Sequence, residues 1–572
     1  MRTIPTLPIR ALSALFTASL LLAACAQPAP APQPQPAAPE QPTQPAPTQL
    51  AAPTEPPAQP QPTEAPAPAA ENVLVVGLPK ADTRTLDPHR QYEITPPQIM
   101  RAIYETLVTL PDKGATIDRV EPLLAESFEI SDDALVYTFK LRSDVKFASG
   151  RTMTADDVVF SFKRLGNLQD NPSWLFSDHV ASIEAVDAST VKITLKEPNA
   201  AFLSMLVSPN FAVVDAELVK AQGGTDAENA KEADKATDWL DGNSAGTGPY
   251  VLKEWKRGEQ VVIERNPNYW RGTAPFDRII FREIPDDAAR QQALERGDVD
   301  IAIGLDVDAI NRLKDNPDFN VIVGNTLDMT YLALTTNPEL SKELADKRVR
   351  QAIKFAIDYE GIINGLLGGT ALHIPTIIPL GLLGTDPALA PKRDLEKAKA
   401  LLKEAGLEGG FTINMVYPGE RKMSNVILAD TLVAKLQEDL AEIGVTLNVE
   451  PRDATTWRAD YRAGKLVATI ADWTPDFLDP HGWAPAFAVE GASAAKRVYY
   501  VNKEAEKLAL DAAKITDPAK RAEMYLKVQQ LMLDDAAFIG LIQPKVQIVA
   551  SAKLKDVIYN PVYFLDYYFM SR

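Results

Sequence analysis

The sequence predicts a mixed α/β fold with more than one core, on three observations. Short β-branched runs with apolar/polar alternation recur along the chain, and helical segments with their own start and stop signals stand between them, most densely in the second half. The third observation is length: 572 residues exceed what a single hydrophobic core usually organises. No self-similarity of solenoid period is present.

Taken in order, the chain opens on Arg2 and Arg10, followed by the apolar run ALSALFTASLLLAA, Ala11 to Ala24. This has the order of a secretory signal and falls short of the roughly 20 apolar residues a transmembrane helix needs. From Ala26 to Ala70 the composition reduces to Pro, Ala, Gln and Thr with scattered Glu. Such a segment cannot bury enough apolar surface to offset its ordering entropy, so it reads as a disordered, polyproline-leaning spacer. At about 3.1 Å per residue it would reach on the order of 140 Å.

The folded part is expected to start near Asn72 with the strand VLVVGLP. Ser127 to Phe147, SFEISDDALVYTFKLRSDVKF, reads as alternating strands around an acidic turn, and Ile183 to Pro198 as another hairpin. Between them TADDVVFSFKRL predicts a helix with Thr154 as N-cap and Asp157 completing a capping box. Further on, RDLEKAKALLKEAGL places Leu395, Ala398, Leu401, Leu402 and Ala405 at helical spacing between Asp394 as N-cap and Gly406 as stop. SNVILADTLVAKLQEDLAEIG repeats that logic up to Gly444, before the strand VTLNVE. Pro518 opens the helix TDPAKRAEMYLKVQQLMLDD at its first position.

Composition excludes several functions. The formal net charge of -18 and a pI near 4.9 repel nucleic acid, and no basic stripe offsets them. Cys25 is the sole cysteine, which removes intrachain disulfides and Cys-built zinc or iron–sulfur sites. The four histidines, His89, His179, His373 and His481, have no metal-ligand spacing, and no phosphate-binding G-x-x-x-x-G-K-[ST] occurs. GNSAG, Gly242 to Gly246, fits G-x-S-x-G on paper, but the strand and helix that a nucleophile elbow needs do not flank it. Asp476 and Asp479, three residues apart, read better as a turn than as a glycosidase pair.

One stretch invites a ligand. ATIADWTPDFLDP, Ala468 to Pro480, begins as a buried strand and then places Trp473 among Asp472, Asp476 and Asp479. A carboxylate just past a buried strand and beside a large aromatic loses hydration and needs a cation.

Several stretches together resemble the family 5 extracellular solute-binding proteins of ABC importers. They are TLDPHRQYEITPP, IYETLVTL, the run from Glu121 to Leu165, GTGPYVLKEWKRGEQVVIERNPNYW, VRQAIKFAID, EKAKALLKEAGL, TPDFLDP and DPAKRAEMYLKVQQLM. The likeness runs in the family's order from about Val73 to the C-terminus. LAAC, Leu22 to Cys25, resembles the lipobox of bacterial lipoproteins, in which the cysteine is lipidated.

The resemblance implies a two-lobe, periplasmic-binding-protein-like fold of class II, cluster C type, with an extra subdomain in the first lobe. The implied division is 1–24 signal peptide, 25–70 lipidated cysteine and linker, 71–320 lobe 1 with its subdomain at about 96–209, 321–544 lobe 2, and 545–572 returning to lobe 1. The crossings would fall near Asp318 to Val323 and Gln543 to Val546. It also implies a non-enzymatic, monomeric protein without cofactor or metal. Such a protein would be held by lipid on the extracytoplasmic face of the membrane and would hand short peptides to permease subunits.

The Trp-x-x-Asp of peptide-binding members corresponds to Trp473 and Asp476, the latter pairing with the ligand's α-ammonium group. The opposite charge is expected from Arg421 or Lys422, near Tyr417, while the loop Arg90, Tyr92, Glu93 and Ile94 offers backbone groups. Ile470 stands where some oligopeptide-binding members carry an arginine, so their length preference does not transfer. Oligosaccharides stacking on Trp457, Trp473 and Trp483, opines, or a nickel chelate near His481 are alternative solutes. A hydrolase or a signalling receptor on the same scaffold are alternative classes.

Overall fold

The computed structural model describes residues 71–80, 83–93, 95–111, 119–474 and 477–572. The chain divides into Met1–Pro68 and the unit Ala69–Arg572, and the architecture below is that of the second unit. The expectations for the first 70 residues, Cys25 included, lie outside the described residues, as do Ile94 and Asp476.

Strand β1 (Val73–Leu78) is flanked on its carboxyl side by helix α1 (Pro96–Ile103). The acidic turn forms as expected between β2 (Ala125–Ile130) and β3 (Val136–Leu141), where Asp133 accepts from the Ser131 hydroxyl and the Leu135 N–H. Helix α2 (Ala155–Asn167) starts at its capping box: the Thr154 N–H donates to Asp157 Oδ2 at 2.9 Å. Then β4 (Val180–Asp187) and β5 (Thr190–Leu195) complete a four-stranded antiparallel sheet of order β2-β3-β5-β4.

The main sheet has twelve strands. In chain order its further members are β6 (Tyr250–Lys256), β7 (Gln260–Arg265), β8 (Arg278–Glu283), β9 (Ile301–Ile303), β10 (Phe319–Asn325) and β11 (Met329–Leu334). They are followed by β12 (Phe411–Pro418), β13 (Val445–Arg452), β14 (Ala468–Trp473) and β15 (Phe538–Ser551). The path is β13-β12-β14-β11-β15-β9-β1-β8-β7-β6, with β10 and the short strand Ala371–Leu372 also pairing on β15.

β15 is therefore the spine. Its first part, Phe538 to Ile542, pairs with β11, and Lys545 to Ser551 pairs antiparallel with β10. Pro544, which has no N–H, stands at the changeover, and its carbonyl accepts from the Thr326 hydroxyl at 2.7 Å.

Helices α3 (Leu395–Glu404), α4 (Ala429–Ala441), α5 (Ala454–Arg462), α6 (Ala495–Val498) and α7 (Pro518–Asp535) belong to the second half. Asp394 caps α3 by accepting from the Lys397 N–H, and Pro518 opens α7, as the sequence predicts. The helix expected from Ser424 begins only at Ala429. Ser424 and Asn425 adopt positive φ of 44° and 61°, which turns the chain so that Lys422–Met423 pairs with Ile427–Leu428 as a small hairpin.

One core gathers β1, β8 and β15 around Val76, Ile279, Ile301 and Ile548. Another lies under β11, β14 and α4 around Leu332, Ile470 and Leu432. A third is shared: Tyr137, Phe139 and Ile193 of the four-stranded sheet join Tyr331, Trp483 and Phe538 of the second half. Across this seam the Ala200 N–H donates to the Ala513 carbonyl at 2.7 Å.

Candidate functional site

Strands β12, β13 and β14 run parallel, and β11 runs against β14. Their carboxyl ends, Pro418, Arg452 and Trp473, therefore meet at the sheet edge where β11 begins just after β10. Crevices outside the carboxyl ends of strands are where α/β sheets receive ligands, because loops there can present polar groups without disturbing the ladder.

Alternation along β14 splits the residues of this edge between two faces. On one face Asp472 accepts from the Thr330 hydroxyl at 2.7 Å and from Arg421 Nη2 at 3.0 Å, with the Ser424 hydroxyl at 3.3 Å. Burial raises the Asp472 carboxyl above its ordinary range in spite of these partners. Asp328, two residues before Thr330, is pushed up to about 6 by burial; Asp472's charge adds to this and a Thr474 hydrogen bond opposes it. Asp328 has no ion pair among the described residues.

On the other face Trp473 packs edge-on against Phe487, with ring centroids 5.0 Å apart, while its indole Nε1 is buried without an acceptor. Tyr461 of α5 shares a hydroxyl–hydroxyl hydrogen bond of 3.0 Å with Tyr331. Arg497 of α6 lies over both rings, its Cζ 5.0 Å from the Tyr461 centroid and 5.9 Å from that of Trp473.

The structure thus brings Trp473 and Arg421 to one edge. Tyr417, at the same edge, is buried and donates to Asp430 at 2.9 Å, and Asp430 also accepts the Glu420 N–H, fixing the loop that carries Arg421. Lys422 is exposed.

The Arg90 loop belongs to the first half. Arg90 pairs with Asp170, with Asp234 at 3.6 Å and with Asp87 at 3.8 Å. Tyr92 Oη accepts from Trp174 Nε1 at 3.2 Å, and Glu93 faces Arg84 at 3.5 Å. The carbonyls of Pro88 and Gln91 accept from Asn210 Nδ2 at 2.9 and 2.8 Å.

Beneath this loop Arg164, with no exposed side-chain surface, is held by Asp87 and Asp234, each in two hydrogen bonds of 2.7 to 2.9 Å. Burial alone would raise the Asp87 carboxyl, but Arg164's charge and hydrogen bonds outweigh it and hold it well below the carboxylate range. Burial, with Arg164 beside it, keeps His89 neutral, its pKa lowered to about 4.

The GNSAG stretch is a loop. The Leu252 N–H donates to Ser244 Oγ at 3.1 Å, and a Cβ on Gly246 would stand 2.2 Å from the Ile103 carbonyl of α1. Gly246 answers a close backbone approach. Trp483 and Trp457 are 0% and 4% exposed, so of the three tryptophans offered for sugar stacking only Trp473 reaches the edge. No group of three metal-ligating side chains occurs among the described residues.

Asp328 and Arg497 were missed in the sequence. Asp328 lies in an ordinary-looking run before β11, and Arg497 in SAAKRVYY, without a spacing that marks either.

A large mixed α/β sheet with a polar edge at the carboxyl ends of its strands is the architecture of the two-lobe periplasmic binding proteins. The sequence profile of the bacterial extracellular solute-binding proteins, family 5 (middle region), matches residues 119–494. The chain belongs to that family, whose members serve ABC importers as extracytoplasmic binding proteins. It is 32% identical over 500 residues to the probable D,D-dipeptide-binding periplasmic protein DdpA of Escherichia coli, covering 86% of this chain and 92% of that one. It is 29% identical over 497 residues to heme-binding protein A of Haemophilus influenzae, covering 82% and 86%. The periplasmic binding protein DppA of Helicobacter pylori, solved in complex with peptide STSA, aligns with a TM-score of 0.68 and 26% identity over 88% of this chain and 98% of that one. No catalytic family is indicated.

Proposed function

We propose that this protein captures short peptides between its lobes, holding the α-ammonium group at Asp476, and delivers them to the permease of an ABC importer. The observation that carries the reading is the end of β14 at Trp473: the sequence places the Asp476 carboxylate three residues beyond a strand whose carboxyl end lies at the crevice edge. The peptide named for the H. pylori structure and the D,D-dipeptide named for the E. coli relative support the same solute class. An ammonium about 3 Å from a carboxylate, at an effective dielectric near 20, gains on the order of 5 kcal/mol before desolvation.

Lobe 1 would comprise 71–320 with a subdomain at about 96–209, lobe 2 would comprise 321–544, and 545–572 would return to lobe 1. The pairing of β10 with β15 supports crossings at those places. Lipid on Cys25, on the extracytoplasmic side, would tether the body through the Pro-rich spacer. No helix among the described residues is long and apolar enough to cross a membrane.

Mass spectrometry of solute released by denaturing the purified, unlipidated body is expected to return intact peptides. Asp476→Asn is expected to fold normally and to lose about two to three orders of magnitude in peptide affinity by calorimetry, matching the roughly 3 to 5 kcal/mol of a broken buried pair. Parent-like affinity in that variant would reject the assignment.

A further inference from the structure

We propose that Arg497 and the indole N–H of Trp473 form an anion subsite that takes a carboxylate of the bound solute. This deepens the function proposed above and rests on its placement of the cleft at the end of β14.

Most arginines in partly or fully buried positions meet a carboxylate within the described residues, and buried Arg350, which does not, donates to the carbonyls of Leu344, Ala345 and Asp535. Arg101 meets Asp566, Arg151 meets Asp157 and Asp215, Arg452 meets Glu450 and Asp460, and Arg521 meets Asp479. Arg421, to which the family resemblance gives the carboxylate role, is also taken: its guanidinium faces Asp472 at 3.0 Å. Arg497 is different. No carboxylate pairs with it among the described residues; one guanidinium N–H goes to the Tyr461 hydroxyl, and its Nε is buried without an acceptor.

Trp473 Nε1, on the ring that Arg497 overlies, is likewise buried without an acceptor. Guanidinium and indole are donors only, so neither can satisfy the other. Buried donors are rarely left unpaired, and two on neighbouring side chains share a single remedy, an acceptor that the described residues do not supply and a bound solute can.

The chemistry of that acceptor follows from its setting. A fixed positive charge favours an anion, and the rings of Tyr461 and Trp473 exclude water and strengthen charge-assisted hydrogen bonds. The chain's net charge of -18 repels anions at long range, so a carboxylate would be held only where a local cation overrides it. A carboxylate has two oxygens and can accept from both donors, whereas an amide cannot return the charge. In a peptide the group is the α-carboxylate or an acidic side chain.

The test compares L-alanyl-L-alanine with its C-terminal amide by calorimetry on the full folded body. The parent is expected to bind the acid at least tenfold more tightly than the amide. Arg497→Gln is expected to abolish that preference with little change for the amide. Arg497→Lys, which keeps the charge but loses the planar fork, should retain part of it, and Trp473→Phe should weaken the acid alone by about threefold to tenfold. An unchanged preference in Arg497→Gln, or in Arg497→Lys if the glutamine variant does not fold, overturns the proposal, as does a parent that binds both compounds equally.

If the parent binds neither compound, the peptide reading is what fails, and acetate titration decides the subsite separately. The Trp473 indole 15N–1H resonance, assigned with Trp473→Phe, should shift with acetate in the parent and stay still in Arg497→Gln. No shift in the parent overturns the proposal.

Discussion

The charges around Arg164 and those around Trp473 are assembled from the same residue types and reach opposite states. In the first half a guanidinium without solvent exposure is clamped between Asp87 and Asp234, with Arg90 and Thr237 closing the ring of partners. At the end of β14, among the described residues, Arg421 and Asp472 pair off, while Arg497 Nε and the Trp473 N–H have no acceptor and Asp328 has no ion pair. A buried ion network that closes on itself fixes the shape of the chain; one left open at a strand end marks where the chain expects company.

The contrast can be broken at its strongest point by removing the clamp. Arg164→Leu leaves two buried carboxylates facing each other and is expected to cost about 3 to 5 kcal/mol of folding stability, measured by denaturant unfolding. If that variant unfolds at the parent's midpoint, the closed network is not what holds this region.

Acid titration sharpens the contrast with a smaller effect. Burial lowers the pKa of His89, His373 and His481 to about 4 each, below the ordinary value near 6.5. The folded state therefore disfavours their protonation. The stability this contributes is complete above about pH 6.5 and is lost as pH falls toward 4. Melting temperatures are expected to decline across that window. His373, which stacks on Tyr359 with centroids 3.9 Å apart, offers a check: His373→Phe should keep the stacking and flatten part of the decline.

The smallest effect is expected at the open end. Burial holds the Asp328 pKa at about 6, above the ordinary carboxylate, so its ionisation costs the solute-free protein stability as pH rises from about 4 to 6. Asp328→Asn should raise stability at pH 7 by about 1 kcal/mol, reduced from the full shift by partial exposure, and should give nothing at pH 4. A destabilised variant at pH 7 would mean that this carboxylate already has its partner within the chain.

Much of the architecture was legible because it is written locally. The capping box at Thr154, Asp394 before α3, Pro518 at the head of α7 and the alternation in β3 and β5 act within a few residues of themselves. What stayed hidden is long-range. The pairing of Val321 with Val549 depends on a strand more than 200 residues away, and the hairpin before α4 depends on positive φ at Ser424 and Asn425, which the apolar periodicity of VILADTLV masks.

The site divides the same way. Trp473 was conspicuous because a strand ends on it. That Arg421 is spent on Asp472 follows only once β12 lies beside β14, and that Arg497 meets no carboxylate among the described residues is a property of its surroundings, which no motif encodes.

Pro544 gives β15 a further property. The backbone nitrogen there brings no hydrogen to the ladder, and it falls where the strand exchanges β11 for β10 as its neighbour. A swivel concentrated at that residue would forfeit no rung that the residue itself donates. Proline, which a strand interior ordinarily rejects, is tolerated there because the ladder changes partner at its own position.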